Sequence, residues 1–334
     1  MADTFKAFRV EEQDGQFHHS IVDREVSDLP PGEVVIDVEY SSLNYKDALS
    51  ASGNRGVTRN YPHTPGIDAA GTVVSSTDPH FHSGDPVIVM GYDLGMNTAG
   101  GLAEKIRVPG SWVIHRPARL SAEDAMVFGT AGFTAAMCVD TLLQVGIAPE
   151  QGPVLVTGAT GGVGIVAVWL LANLGFKVVA SSGKSDQETL LKSVGAHEVI
   201  HRDQLLENAK RPMNKPQWAA AIDTVGGEIL SNVLKSIQYG GSVACCGMVA
   251  GPDINTSVFP FILRGVNLLG VDSVELPLDV KQDIWEMVGK QWLFSNFTEF
   301  KQLTTHTIRL DQVSDAIDHI LSSSHLGRYL VKIR

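Results

Sequence analysis

The chain has 334 residues, 44% hydrophobic and 19% charged, with a formal net charge of −11; this length supplies two cores and points to two domains. An acidic chain with no basic block excludes nucleic acid as the main partner, no apolar run reaches the length of a bilayer span, and Met1–Val10 holds no apolar signal core. The three cysteines, Cys138, Cys245 and Cys246, are too few for a disulfide framework, lack metal-ligand spacing and read as small buried apolar residues, so the expectation is a cytoplasmic protein off the membrane.

Phe5–Val10 reads as a first strand. After the Pro30-Pro31-Gly32 turn, Val34, Ile36, Val38 and Tyr40 alternate with mostly polar neighbours, the pattern of a half-buried strand. A polar cluster, Ser41-Ser42-Leu43-Asn44-Tyr45-Lys46-Asp47, follows at the strand end. Tyr61–Val74 is a loop running into a strand, and Gly84–Met90 and Gly100–Val108 add two more. Short strands between Gly and Pro turns make the first third an all-β module. Ser121 starts a helical pattern through Met126, resumed from Thr130 to Leu143.

Val154–Val156 then leads into Thr157-Gly158-Ala159-Thr160-Gly161-Gly162-Val163-Gly164, with an apolar helical segment at Ile165–Leu174. That is the strand, tight turn and helix start of a dinucleotide-binding unit. Gly161 lets the backbone approach a pyrophosphate, Gly164 lets the helix pack closely, and the helix N-terminus offers free N–H groups to phosphate. Ala159 stands where the fingerprint has its first glycine, and a tight turn in another α/β protein is the plainer reading. The second strand, Lys177–Ala180, ends in Ser181-Ser182-Gly183-Lys184, without the carboxylate that would hold a ribose hydroxyl. A hydroxyl and an ammonium suit a 2′-phosphate instead, which favours NADPH over NADH; a solvated loop is the alternative. Further strands fall at His197–Ile200, Ala219–Asp223, Gly241–Cys245 and Leu268–Asp272. Their alternation with helical stretches predicts a parallel sheet covered by helices on both faces, an α/β fold. A helix near Val280–Trp292 precedes an extended His306–Leu310, an Asp311 N-cap for a helix through Leu321, and a closing strand at Tyr329–Ile333.

With these landmarks the chain resembles the medium-chain dehydrogenase/reductase superfamily over nearly its whole length. The matches are Pro65-Gly66-Ile67-Asp68, the glycine turn at 158–164 and Asp223-Thr224-Val225-Gly226. Three further stretches resemble the zinc-free quinone oxidoreductase branch and its YhdH/YhfP subgroup, which includes the AcuI acrylyl-CoA reductases: Ser41–Asp47, Gly129–Ala135 and Pro260–Arg264. The resemblance implies a GroES-like catalytic domain over residues 1–126, completed by 298–334, and a Rossmann NADPH-binding domain over 127–297. Alcohol dehydrogenases hold catalytic zinc through Cys and a Gly-His-Glu element. Here that element reads Gly66-Ile67-Asp68, so the donors zinc needs are missing and no metal is expected.

The implied activity is hydride transfer from NADPH to the activated C=C bond of an α,β-unsaturated carbonyl, acrylyl-CoA foremost. A quinone reductase is the alternative, and a non-catalytic NADPH-binding, crystallin-like protein is the alternative of another class. By the resemblance Asn44 and Asp47 are catalytic: Asn44 as amide donor to the developing oxyanion, Asp47 as its orienting partner or a proton relay. Read alone, Asn44 is a turn residue and Asp47 a helix cap or solvated carboxylate. Tyr45 would face the nicotinamide end; Thr160, Gly161, Gly162 and Val163 the pyrophosphate; Ser182, Gly183, Lys184 and Arg202 the 2′-phosphate. Met248, Ile262 and Ser273 match positions on the nicotinamide side, although core packing is the plainer reading of Met248 and Ile262. Arg55, Arg59 and Arg264 are candidates for the phosphates of a CoA substrate. The segment Gly265–Ser273 matches an edge strand that joins two subunits in relatives, so a homodimer is expected.

Overall fold

The N-terminal segment pairs as a hairpin, β1 (Thr4–Gln13) with β2 (Gln16–Glu25), in a computed structural model that describes residues 4–334. No position of β2 is fully buried, which is why no hydrophobic alternation announces it. β3 (Val34–Leu43) buries Val34, Ile36 and Val38 as its alternation requires. Next come α1 (Tyr45–Ala51), β4 (Asp68–Ser76), β5 (Pro86–Met90), β6 (Lys105–Val108) and the short β7 (Val113–His115). The first third is thus not all-β: the polar cluster after β3 turns into a helix, because the Asp47 carboxylate accepts from Asn44 N and caps its first turn.

α2 (Ala122–Gln144) covers both predicted helical stretches and is interrupted at Gly129, whose φ of 50° and ψ of −160° are not helical. By length and composition this helix could cross a bilayer, contrary to the reading that no apolar run is long enough. Yet 72% of its apolar window is buried within the protein, and a broken, buried helix is a core element.

The strand–turn–helix segment follows as β8 (Val154–Val156), α3 (Gly162–Asn173) and β9 (Val178–Ser182). Then come α4 (Glu188–Ser193), β10 (Glu198–His201), β11 (Trp218–Asp223), α5 (Gly227–Ser236), β12 (Ile237–Cys245), α6 (Phe259–Arg264) and β13 (Asn267–Gly270). These six strands are parallel in the order β10-β9-β8-β11-β12-β13. That order reverses direction between β8 and β11, the switch point at which doubly wound sheets bind ligands beyond the strand C-termini. β8, β9 and β11 are buried at every position, as strands covered on both faces must be.

The chain ends with α7 (Leu278–Lys290), α8 (Phe297–Thr304), β14 (Thr305–Arg309), α9 (Val313–Leu321) and β15 (Arg328–Lys332). Asp311 does not cap α9: it lies inside a single 3-10 turn, Leu310–Gln312, and Gln312 takes the cap position. β15 pairs antiparallel with β3, placing Tyr329 opposite Leu43, and completes a seven-stranded sheet with order β14-β15-β3-β4-β5-β7 and β6 on β3.

Two compact units result. One contains the chain up to Thr130, Ser273–Leu293 and Thr304–Arg334; the other contains Ala131–Asp272 and Phe294–Leu303. In the first, Val34, Ile36, Val38, Val87, Val89, Ile106 and Val108 form one core cluster. Lys281 of α7, fully buried, donates to Val274 O at 2.8 Å and Met90 O at 3.2 Å, with its ammonium 3.3 Å from the centre of the Tyr92 ring. In the second, Trp169 of α3 stacks on Phe300 at 4.6 Å and donates to Asn296 Oδ1 at 3.2 Å.

Candidate active site

The predicted site residues fall into clusters within each unit. In the first unit β3 ends at Leu43 and the chain stays extended at Asn44, the N-cap of α1, with φ −123° and ψ 161°. Asp47, three residues on, accepts from Asn44 N at 2.8 Å through Oδ2. Its other oxygen accepts from Gly66 N at 3.1 Å and Ile67 N at 2.8 Å. Gly66 has φ +115°, a conformation that glycine adopts without penalty.

Asp68, at the start of β4, organises the rest. Its carboxylate accepts from Ser42 Oγ at 2.6 Å, Asn44 Nδ2 at 2.8 Å, Thr130 N at 2.8 Å and Thr130 Oγ1 at 2.6 Å. The break at Gly129 makes this possible: the second half of α2 starts afresh at Thr130, and Asp68 sits at its positive end. A Cβ at Gly129 would meet Asp68 Oδ2 at 2.6 Å and Arg328 Nη2 at 2.8 Å. Arg328, the first residue of β15, donates to Ser42 Oγ at 2.9 Å, Val127 O at 3.2 Å, Asn44 Oδ1 at 3.3 Å and Leu43 O at 3.4 Å.

Two carboxylates and one guanidinium are buried together: Asp47 and Asp68 are 0% exposed and Arg328 3%. Burial first, and the negative charge of Asp68 second, push the Asp47 carboxyl up to about 7. Burial pulls Arg328 below its usual value, and the two aspartates oppose that.

This arrangement changes the expected role of Asn44. Its amide is oriented unambiguously, since a flip would set oxygen against the Asp68 carboxylate and N–H against the Arg328 guanidinium. Its Nδ2 donates to Asp68, with longer contacts to Ser42 O at 3.3 Å and Asp47 Oδ2 at 3.4 Å. The amide hydrogens are committed inside the protein. Tyr45, one residue on, is 45% exposed, and its hydroxyl has no hydrogen-bond partner among the described residues. Ser273 lies buried ahead of α7, outside this network.

In the second unit the glycine turn has its predicted shape. Gly158 has φ +59°, Gly161 is the N-cap of α3, and a Cβ on Gly164 would meet Ala159 Cα at 2.7 Å. At the end of β9 Lys184 N donates to Ser182 Oγ at 3.0 Å, and the Thr160 and Ser182 hydroxyls lie 3.3 Å apart. β10 runs beside β9 with His201 opposite Ser182. Arg202 therefore emerges next to Gly183, where a Cβ would lie 2.8 Å from the arginine Nε. No carboxylate stands between Val178 and Lys184. Hydroxyls, a lysine and an arginine around a helix N-terminus fit a phosphorylated dinucleotide.

Other expectations change. Met248 and Ile262 are 70% and 68% exposed, so core packing does not explain them: Met248 follows β12, beyond the strand's C-terminal end, and Ile262 is on the outside of α6. Arg264 is no phosphate ligand. Its guanidinium donates to Asn214 O at 2.6 Å, Lys235 O at 3.0 Å and Ile237 O at 3.1 Å, closing the end of α5. Arg55 is held by Glu12 at 2.6 Å, while Arg59 stays exposed. Ile67, at the position of the zinc-binding histidine, is buried and carries no donor atom. No group of three or more His, Cys, Asp or Glu side chains among the described residues could hold a metal.

A GroES-like β unit with a buried polar site and a doubly wound parallel-sheet unit with a phosphate-binding turn define a medium-chain dehydrogenase/reductase. Residues 30–118 match the alcohol dehydrogenase GroES-like domain family and residues 162–289 the zinc-binding dehydrogenase family. The chain is 45% identical to the probable acrylyl-CoA reductase AcuI of Escherichia coli, over 98% of this chain and 99% of that one. It is 44% identical to the putative quinone oxidoreductase YhfP of Bacillus subtilis over the full length of both; the solved YhfP structure, with NAD bound, superposes with a TM-score of 0.95 at 43% identity, covering 99% of this chain and 100% of that one. The yhdH oxidoreductase of Salmonella enterica, solved in complex with NADP, gives a TM-score of 0.95 at 46% identity, covering 98% of this chain and 100% of that one. The chain belongs to the YhdH/YhfP subgroup of the quinone oxidoreductase branch.

Proposed function

We propose that this protein is an NADPH-dependent reductase of activated C=C bonds, with acrylyl-CoA as the acceptor. The observation that carries the reading is the match to AcuI over 98% of the chain; the phosphate-binding turn and cationic strand end of this chain suit its cofactor. A quinone is the second acceptor to test, because the equally similar YhfP bears that name.

Bound NADPH would supply the hydride. Thr160, Gly161, Gly162 and Val163 receive the pyrophosphate at the N-terminus of α3. Ser182, Gly183, Lys184 and Arg202 receive the 2′-phosphate. Met248, Ile262 and Ser273 complete the nicotinamide side. Hydride arriving at the β-carbon leaves negative charge on the carbonyl oxygen, which needs a donor. Tyr45 offers the hydroxyl that its own unit leaves unpaired, to that oxygen or to the nicotinamide ribose. Asn44 acts from below, capping the helix that presents Tyr45, and Asp47 holds or releases a proton near neutrality. The residues present do not fit catalytic zinc, so no step passes through a metal. The free cysteines suit a reducing cytoplasm, and β13, the outer strand of its sheet, suits pairing in a homodimer.

The test is steady-state oxidation of NADPH and of NADH, with acrylyl-CoA and a quinone run side by side. Turnover of acrylyl-CoA with NADPH at the higher kcat/KM is expected. A quinone as the sole acceptor would hand the function to the second reading, and no turnover with either would end both.

A further inference from the structure

Arg328 stands 284 positions from Asn44 in the chain, yet its guanidinium contacts that residue. It bridges three places at once: the end of β3 at Leu43 O, the stretch before the break in α2 at Val127 O, and the Asn44 amide. Gly327, just before it, has φ +61°, and a side chain there would run into the carbonyl of Thr304. The entry into β15 is therefore set against neighbouring backbone, and so is the point from which Arg328 reaches in. Asp68 grips the same amide from its other end at 2.8 Å. Burying charged groups of opposite sign is a poor source of net stability, since apolar replacements are often as stable. What a planar, rigid fork supplies is geometry.

We propose that Arg328 and Asp68 are positioning residues for the reduction: they clamp the Asn44 side chain between them, and so fix where α1 begins and where the Tyr45 hydroxyl stands. This rests on the reading of the first unit as the reduction site. Asn44 is the cap and Tyr45 the first helical residue, so slack in the cap passes directly to the hydroxyl. A displacement of about 1 Å at a reacting group costs roughly a hundredfold in rate. Lysine at position 328 would keep the charge and lose the fork.

Three variants test this, with NADPH and whichever acceptor the wild type reduces: Arg328→Lys, Arg328→Ala, and the charge-balanced pair Arg328→Met with Asp68→Asn. Arg328→Lys should lower kcat by about tenfold or more, with the NADPH Kd unchanged. The double variant should melt like the wild type and still turn over slowly. Guanidinium ion added at millimolar concentration should restore part of the kcat of Arg328→Ala. Wild-type kcat in Arg328→Lys or in the double variant would overturn the proposal, and so would a double variant that cannot fold, since the role would then be structural. A wild type inactive with every acceptor fails the functional reading instead, and that is seen before any variant is made.

Discussion

Asp47 is the residue whose surroundings ask most of it. Its side chain is wholly buried, polar contacts from Ser42, Asn44, Gly66, Ile67 and Thr130 converge on its carboxylate or on that of nearby Asp68, and its carboxyl is raised from 3.8 to about 7. The groups that face it are Asp68 and Arg328, with the amides of Asn44, Gly66 and Ile67. In the unfolded chain the group keeps its ordinary value, so between roughly pH 4 and 7 the folded state binds the proton more tightly. Its contribution to stability is therefore fully present below the unfolded value and is lost as pH rises through about 7. The melting temperature of the wild type, compared with Asp47→Asn, should fall as pH is raised across that range, and kcat should inflect near neutrality; a pH-independent difference would refute the assignment. At the other cluster, Ser182, Lys184 and Arg202 should make kcat/KM for NADPH exceed that for NADH by about ten- to a hundredfold, the worth of one charge-assisted bond. Arg202 is largely exposed, so salt should shrink the preference. Ser182→Asp with Lys184→Ala should reverse it, as read by the two specificity constants.

At the scale of elements, two glycines decide whether helices start where the chemistry needs them. Gly129 breaks α2 and lets Thr130 turn its N–H to Asp68. Its φ/ψ lie in a region open essentially to glycine, at a cost of about 1–3 kcal/mol for another residue. Gly129→Ala adds a methyl beside Asp68 and Arg328. It should lower thermal stability and cut kcat together, as measured by calorimetry and steady-state assay. Gly164 does the corresponding work in α3, which packs against the Gly158–Ala159 backbone where no Cβ fits. Gly164→Ala should weaken NADPH binding, read by the quenching of protein fluorescence, with less effect on any step after the cofactor is bound. Much of this level is legible beforehand. The alternation in β3, the glycine turn and the strands of the parallel sheet are local patterns, and they fold as their periodicity demands. The shifted start of α9 and the unannounced β2 show where local pattern fails: a 3-10 turn moves a cap by one residue, and a strand with no buried face carries no hydrophobic signature.

At the scale of the molecule, β13 is the outer strand of the parallel sheet, with Asn267 and Gly270 exposed. Apolar surface is exposed on α6 beside it in sequence, Leu263 at 59%. An open edge with apolar surface is ordinarily covered. Light scattering should give about twice the chain mass of 35.9 kDa, and Leu269→Lys, which charges the edge, should shift it to the monomer; a monomeric wild type would remove the dimer from the account.

The sequence by itself determined the two kinds of fold, the phosphate-binding turn and the missing ribose carboxylate, because each is written in neighbouring residues whose spacing has a direct physical meaning. It also marked Asn44, Tyr45 and Asp47, which lie together in one short run. Only the tertiary structure decided which partners surround those three. Asp68 was visible merely as part of a motif, and Arg328 gave no signal at all. They meet Asn44 because β4, the broken α2 and β15 converge on the end of β3, from positions 24 and 284 residues away along the chain. A buried polar group takes its role from the partners that satisfy it. Those partners are assembled by long-range strand pairing and by one non-helical glycine, neither of which leaves a periodic trace.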